Sequence, residues 1–151
     1  PVEEAAEIRE QWLGTYQGIA AWQRENGRLA EATEGNQWAH IRIPKSHMRR
    51  FLPGDMNRLT VRCNTPIQGA GAAILKCALG SLWTELVKVG EVEAKIAACI
   101  HDEILLLVKE DKAEEWAAKL KRIMEDAEAM WLGDIPPLAE PSIGKRWSEI
   151  H

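Results

Sequence analysis

The chain has 151 residues, of which 19 are Lys or Arg and 23 are Asp or Glu, so its formal net charge is −4. With 46% apolar and 28% charged residues it has the composition of a folded globular protein, which excludes a disordered acidic tail or a low-complexity linker. The length suits a single unit over residues 1–151, or a piece of a larger protein, with enough residues to bury a core.

The first element is a predicted helix. Apolar residues with helical spacing predict it over Glu3–Glu25, and Asn26-Gly27 is a typical stop signal. Residues 27–56 mix Gly, Pro, His and Arg without sustained periodicity, so we expect a loop there, with short strands near residues 38–43.

A second helical pattern begins at Asn57. It is interrupted at Pro66 and restarts, because proline suits the first turn of a new helix, where its missing N–H is not needed. The second segment should end near Gly90. Its predicted apolar face consists of Ile67, Ala70, Gly71, Ile74, Leu75, Ala78, Leu82 and Leu86.

Residues 94–109 contain two short apolar runs on either side of His101–Glu103, which predicts a tight β-hairpin with the polar tripeptide at its turn. Asp111 should cap a strong helix that ends at Gly133, and residues 138–150 should include a last short strand. The expected fold class is therefore α+β, with a small antiparallel sheet (the hairpin plus the C-terminal strand) packed under several helices.

Membrane insertion and secretion are not expected. The longest uninterrupted apolar runs hold five residues, as in Ile96–Ile100, whereas a spanning helix needs about 20. No basic and apolar leader opens the sequence. The three cysteines, Cys63, Cys77 and Cys99, form no CxxC pair, which favours reduced thiols in the cytoplasm over a disulfide framework or a zinc site.

Positive charge is concentrated in residues 40–62, where six basic residues and one acid give a net charge of +5 in an otherwise acidic chain. Such a stretch suggests contact with a polyanion, because binding phosphates releases counterions. The alternative is a solvated loop whose charges pair with nearby acidic helices.

Asp102 and Glu103 are adjacent acids in the middle of the otherwise apolar hairpin. They are costly there unless something offsets their charge, and a hard cation such as Mg²⁺ would do so. Neighbours on a strand point to opposite faces, so one site can readily use only one of them and would need a further carboxylate from elsewhere. The alternative is an exposed turn that is merely polar.

Asn64 and Gln68 stand four residues apart, which places them on the same helical face. Side-chain amides can donate and accept hydrogen bonds, so this pair could read acceptor atoms in a nucleic-acid minor groove. The alternative is a pair of polar residues on a helix surface.

Taken in order, five segments resemble the C-terminal part of family A DNA polymerases, the bacterial DNA polymerase I type. Asn64–Gly69 resembles the family's N-x-P-[IV]-Q-G element, and Ile100–Glu103 resembles its motif C, [IV]-H-D-E, between two apolar strands. Tyr16–Ile19 resembles a Y-P-G-[IV] helix end, His47–Pro53 a basic G-R-R-R-x-x-P loop, and Pro141–Trp147 a closing strand that ends in G-x-x-W. The likeness covers nearly the whole chain.

The resemblance implies a DNA-directed DNA polymerase that transfers nucleotides to a primer 3′ hydroxyl in DNA replication or repair. Asp102 would be a palm carboxylate that binds the catalytic Mg²⁺ ions, with Glu103 in support. The partners would be primer–template DNA and deoxynucleoside triphosphates. His101 would lie near the primer terminus, while the remaining implied DNA contacts are Asn64 and Gln68 in the minor groove and Arg49 and Arg50 on the duplex backbone.

Three residues depart from the family pattern. Thr60 stands where an Arg is usual, although Arg58 or Arg62 could substitute for it. Cys99 replaces a Gln, and His47 replaces the glycine of the basic loop. These differences concern local DNA contacts and not the position of the metal.

The family's other metal-binding aspartate and its fingers helix, with the triphosphate-binding Arg and Lys, have no counterpart in this sequence. We therefore expect an upstream polymerase portion, on the same parent chain or a separate one, and no polymerisation by this chain alone. Two alternatives stay open: a noncatalytic nucleic-acid-binding module that keeps the palm fold, and a helical interaction domain.

Overall fold

The computed structural model describes residues 1–89 and 93–150. Its helices are α1 (Val2–Thr15), α2 (Gln17–Ala32), α3 (Leu59–Val89) and α4 (Ala113–Leu132), and its strands are β1 (His40–Arg42), β2 (Arg49–Phe51), β3 (Ala94–Ile100) and β4 (Glu103–Val108). Short 3₁₀ turns occupy Gly54–Met56, Glu110–Lys112 and Trp147–Glu149. The chain forms two compact units, Pro1–Gly69 and the residues from Ala70 onward, and their boundary falls inside α3.

The first unit begins with two helices in place of the one predicted. α1 ends at Thr15 and α2 begins at Gln17, on either side of Tyr16, whose ψ of 67° lies outside the helical range. This break falls at the start of the Tyr16–Ile19 motif. The predicted stop at Asn26-Gly27 is wrong, because α2 continues to Ala32, and inside this helix the Asn26 side-chain amide donates a 2.9 Å bond to the Trp22 carbonyl.

Strands β1 and β2 form an antiparallel ribbon. The prediction of short strands near residues 38–43 is confirmed by β1, whereas β2 lies in the basic segment that was predicted as a loop. In the register His40 is opposite Phe51, Ile41 is opposite Arg50, and Arg42 is opposite Arg49. The backbone bond from the Ile43 N–H to the Met48 carbonyl (2.9 Å) closes the ribbon around a four-residue loop.

Helix α3 runs without interruption through Pro66, so the predicted break at this residue is wrong. Pro66 has no N–H, so one hydrogen bond to the carbonyl of the preceding turn is missing. The helix nevertheless continues on both sides of this residue. Val89 is the last described residue of α3, and Gly90, where the sequence predicts the helix end, lies outside the described residues. By length and composition α3 could cross a membrane, which is weak support for a span because core helices of globular domains share this character.

The second unit is built around the predicted hairpin. Strands β3 and β4 pair antiparallel with a register shift between Ile96 and Ala98, and this confirms the hairpin over residues 94–109. Its core joins side chains of α3, the hairpin and α4: Ala78, Leu82, Leu86, Ala94, Ile104, Trp116, Ile123 and Ala127. Trp116 is fully buried and its indole N–H donates a 2.9 Å bond to Glu93, so a large apolar ring is covered without an unpaired polar atom.

Helix α4 ends before Gly133, as predicted, where the positive φ of 62° favours glycine. The predicted capping role of Asp111 is wrong. Asp111 lies inside the 3₁₀ turn Glu110–Lys112, and Lys112 occupies the N-cap position without a side-chain cap bond. The start of α4 is instead continuous with this preceding turn.

The predicted C-terminal strand is also wrong, because residues 138–146 form no regular element. The N–H groups of Leu138 and Ala139 donate to the carboxylates of Glu128 (3.0 Å) and Glu125 (3.3 Å) on α4, so they are satisfied by side chains and not by a sheet. The α+β class is confirmed, with two separate two-stranded antiparallel sheets in the described part of the chain.

Candidate functional site

The seven residues with predicted roles divide between the two units. Arg49, Arg50, Asn64 and Gln68 belong to the first unit, while the tripeptide His101–Glu103 belongs to the second.

In the first unit the ribbon is fastened to the start of α3 at two points. The buried side chain of Ile43 lies against Gly69, where an added Cβ would overlap the Ile43 side chain and force it to move. The Arg50 guanidinium donates a 3.3 Å bond from Nη1 to the hydroxyl of buried Thr65. The basic ribbon therefore lies directly beside the Asn64–Gly69 motif.

A cleft of about 360 Å³ opens next to this contact, lined by Arg50, Thr60, Val61 and Asn64. Asn64 and Gln68 are both exposed, and the continuous helix places them one turn apart on one face. The structure thus brings a guanidinium and a side-chain amide to the same cleft, with the second amide on the adjoining turn. This arrangement can offer hydrogen bonds to a polyanion that has acceptor atoms near its phosphates.

Arg49 and Arg50, predicted together, leave the ribbon on opposite sides, because successive residues of a strand alternate between its faces. Arg50 is on the face that contacts α3, with Ile41 as its cross-strand partner. Arg49 is on the outer face, directly opposite Arg42, and both side chains are exposed. The Arg42–Arg49 pair is not evident from the sequence, because only the strand register reveals it.

Arg62 is not available to a ligand, although it is one of the six basic residues of the 40–62 stretch. Its Nε atom donates to Asn57 Oδ1 (2.6 Å) and its Nη2 atom donates to Thr33 Oγ1 (2.7 Å). Burial lowers the pKa of the guanidinium from its usual value. Arg62 therefore joins the end of α2 to the start of α3. It does not substitute for the arginine that family members usually have at the position of Thr60.

In the second unit Asp102 lies at the tip of the hairpin. Ile100 pairs with Glu103, which leaves His101 and Asp102 as a two-residue loop. His101 has a φ of 54°, and the favoured two-residue turns require a positive φ at this first loop position. The tight turn therefore holds His101 and Asp102 at an exposed end, supported by the buried Ile104 side chain.

The residues at the hairpin tip do not complete a metal site by themselves. Within the described ranges 1–89 and 93–150 no group of three or more His, Cys, Asp or Glu side chains is placed to hold an ion. Asp102 and Glu103 are exposed neighbours, so they could contribute carboxylate oxygen to a site that receives its other ligands from elsewhere.

The chain is similar to known proteins along nearly its whole length. The family model described as DNA polymerase family A matches residues 1–149. The chain is 32% identical to DNA polymerase I of Aquifex aeolicus over 98% of this chain and 24% of that protein. The DNA polymerase I of Pseudomonas aeruginosa is 27% identical over 99% of this chain and 16% of that protein. The thermostable DNA polymerase I of Thermus thermophilus is 29% identical over 97% of this chain and 17% of that protein.

Proposed function

The chain belongs to DNA polymerase family A, and from this premise we propose that it forms the C-terminal, palm part of a DNA-directed DNA polymerase that acts in replication or repair. It spans between 16% and 24% of the length of the relatives described above. The reaction is therefore assigned to a larger assembly of which the two units together form one part. That reaction is templated transfer of a deoxynucleotide to a primer 3′ hydroxyl.

The observation that carries the proposal is the cleft of the first unit. Arg50 is bonded to Thr65 inside the N-x-P-x-Q-G element, and Asn64 of the same element lines the cleft. We assign the phosphates of primer–template DNA to Arg50 and Arg49, because a guanidinium forms paired hydrogen bonds with phosphate oxygens. The amides of Asn64 and Gln68 then contact minor-groove acceptors, which every base pair presents.

Asp102 is the metal-binding carboxylate in this proposal, with Glu103 beside it and His101 next to the primer terminus. Bound Mg²⁺ supplies electrostatic stabilisation of the transferred phosphoryl group in two-metal sites. Asp102 suits this role because the two-residue turn holds it at the exposed hairpin tip, where no described ion pair neutralises it. The remaining carboxylate and the triphosphate-binding residues come from the upstream polymerase portion.

The test is primer extension with the purified 151-residue chain, alone and with the upstream portion of its polymerase added as a separate chain. We expect no extension by the chain alone, because one or two carboxylates do not define a two-metal geometry. Extension should appear in the mixture and disappear when the 151-residue chain carries Asp102→Ala.

Extension by the 151-residue chain alone, abolished by Asp102→Ala, would contradict the division of the active site between two portions. Binding of DNA by the mixture without any extension would favour a noncatalytic nucleic-acid-binding module.

A further inference from the structure

The outer face of the β1–β2 ribbon carries aromatic and basic side chains together. His40 and Arg42 of β1 share this face with Phe51 and Arg49 of β2, their cross-strand partners, because paired residues project to the same side. Trp38, just before β1, adds a third ring: its centroid lies 6.2 Å from that of Phe51, while His40 lies 5.9 Å from Phe51. We call these five residues the ribbon face.

The ribbon face is open to solvent, since the other side of the ribbon is the one fastened to α3. Arg50 bonds Thr65 and Ile43 lies against Gly69, and both side chains leave the ribbon on that opposite side. Trp38 is 67% exposed and Phe51 is 51% exposed. Two large rings that remain this exposed beside each other offer a surface on which a flat ligand could stack.

The charges of the ribbon face indicate the kind of ligand. Arg42 and Arg49 are directly opposite each other, and like charges at such positions are unfavourable unless an anion lies between or beside them. Neither forms an ion pair within the described residues. A ligand that combines flat rings with regularly spaced negative charge satisfies both features, and single-stranded nucleic acid is such a ligand.

We propose that the ribbon face binds a single-stranded segment of nucleic acid, with a base stacked on Trp38 and neighbouring phosphates on Arg42 and Arg49. In the polymerase proposed above, on which this inference rests, the segment would be unpaired template next to the duplex. Arg49 then contacts the unpaired strand while Arg50, on the other side of the ribbon, contacts the duplex. Duplex DNA keeps its bases stacked inside the helix, so it cannot use the rings in this way.

The experiment measures binding of the 151-residue chain to a fluorescein-labelled oligo-dT strand and to a blunt duplex of equal length by fluorescence anisotropy. Trp38→Ala should weaken oligo-dT binding about five- to 150-fold, the usual effect of removing one stacking ring, and change duplex binding less than twofold. Trp83→Ala is the matched control, because Trp83 is 58% exposed but lies in the second unit. It should alter neither affinity.

A second pair of variants tests the charges without removing a ring. Arg42→Ala and Arg49→Ala should each reduce the log–log salt slope for oligo-dT by about 0.7, the value for one phosphate of a single strand. Arg122→Ala, an exposed arginine on α4, should leave the slope unchanged.

The inference is overturned if Trp38→Ala leaves oligo-dT binding unchanged, or weakens oligo-dT and duplex binding equally. An unchanged affinity together with loss of binding to the upstream polymerase portion would identify the ribbon face as a protein contact and also overturn it. In these cases duplex binding that still depends on Arg50 would leave the proposed polymerase function intact. Duplex binding that is unchanged by Arg50→Ala would contradict that function instead.

Discussion

The Arg50 side chain donates a 3.3 Å hydrogen bond from Nη1 to the hydroxyl of Thr65, a residue buried between Asn64 and Pro66. Two segments separated by fourteen intervening residues are thereby joined: the basic ribbon and the amide-bearing turn of α3. The bond leaves the rest of the Arg50 guanidinium, a group with five N–H donors, at the cleft that Asn64 also lines. Thr65 thus orients the Arg50 guanidinium beside Asn64, the candidate minor-groove contact.

Removing both arginines of the ribbon should weaken DNA binding in a sequence-independent manner. For Arg49→Ala/Arg50→Ala we expect the log–log salt slope for a primer–template with a single-stranded overhang to fall by about two, because each guanidinium neutralises one phosphate. The measurement is a titration over several salt concentrations with two unrelated DNA sequences.

The control is Arg122→Ala/Arg146→Ala, which removes the same charge from exposed positions of the second unit. If the Arg49→Ala/Arg50→Ala variant has the same log–log salt slope as the unchanged chain, Arg49 and Arg50 are solvated surface charges that do not contact phosphates.

Thr60→Arg should strengthen DNA binding. Thr60 lines the cleft with Arg50 and Asn64, and the resemblance to the polymerase family indicates that an arginine usually occupies this position. An added guanidinium in the cleft should gain one phosphate contact, so the salt slope for duplex DNA should steepen by about one. The control is Thr84→Arg, because Thr84 is an exposed residue of α3 that lies in the second unit. Equal effects of the two changes would place the duplex outside the cleft.

Asp102→Ala in the complete polymerase should reduce nucleotide incorporation at least about a hundredfold while DNA binding is largely kept. A carboxylate that acts mainly in the transition state affects turnover far more than affinity. Single-turnover incorporation and DNA binding should be measured on the same preparation. Asp134→Ala, at an exposed position beyond α4, should leave both unchanged. Normal turnover by the Asp102 variant would refute its assignment as a metal ligand.

His47→Gly should stabilise the ribbon loop. His47 has a φ of 58°, in the left-handed region that costs a residue with a Cβ about 1 kcal/mol and costs glycine nothing. The positive φ at residue 47 therefore explains why the resembling basic loop of the family has a glycine at this position. Urea unfolding should show a gain of up to about 1 kcal/mol, reduced by the greater freedom of glycine in the unfolded chain.

Gln37→Gly is the comparison for this loop, since Gln37 is exposed and its φ is not positive. It should lower the free energy of unfolding slightly. A loss of stability from His47→Gly as large as that from Gln37→Gly would mean that the left-handed backbone at residue 47 carries no strain.

Arg62→Ala should destabilise the first unit by about 2–4 kcal/mol. The change removes two charge-assisted hydrogen bonds and leaves the half-buried Asn57 and Thr33 side-chain oxygens with fewer donors. Arg58→Ala, at an exposed position one turn earlier, should change the free energy of unfolding by less than about 0.5 kcal/mol. Similar values for both variants would show that the Arg62 network contributes nothing to folding.

Local patterns in the sequence were sufficient for the hairpin and for the end of α4 in the second unit. The two apolar runs around His101–Glu103 predicted the hairpin, and the structure places its two-residue loop at His101 and Asp102. Strand length and turn chemistry are decided by neighbouring residues, which is why they are readable from a single sequence. The end of α4 at Gly133 was predictable for the same reason, since its backbone conformation is one that glycine adopts easily.

Two of the errors arose where a polar group had a choice of hydrogen-bond partners. Asn26 looked like a helix stop, yet its amide is satisfied inside α2 by the Trp22 carbonyl. The N–H groups of Leu138 and Ala139 looked available for a strand, yet they bind carboxylates of α4. In each case the sequence shows the donor but not the acceptor that it reaches.

The sequence by itself determined the family resemblance, the α+β class and the position of Asp102 at a hairpin tip, because these depend on residue types at fixed short spacings. Only the tertiary structure decided which basic residues are exposed and which of them share a face. Arg62 is buried in a hydrogen-bonded network, and Arg49 and Arg50 lie on opposite sides of a ribbon whose register places Arg42 beside Arg49. Burial and register follow from contacts between segments distant in the sequence, and a one-residue shift in pairing would exchange the two faces.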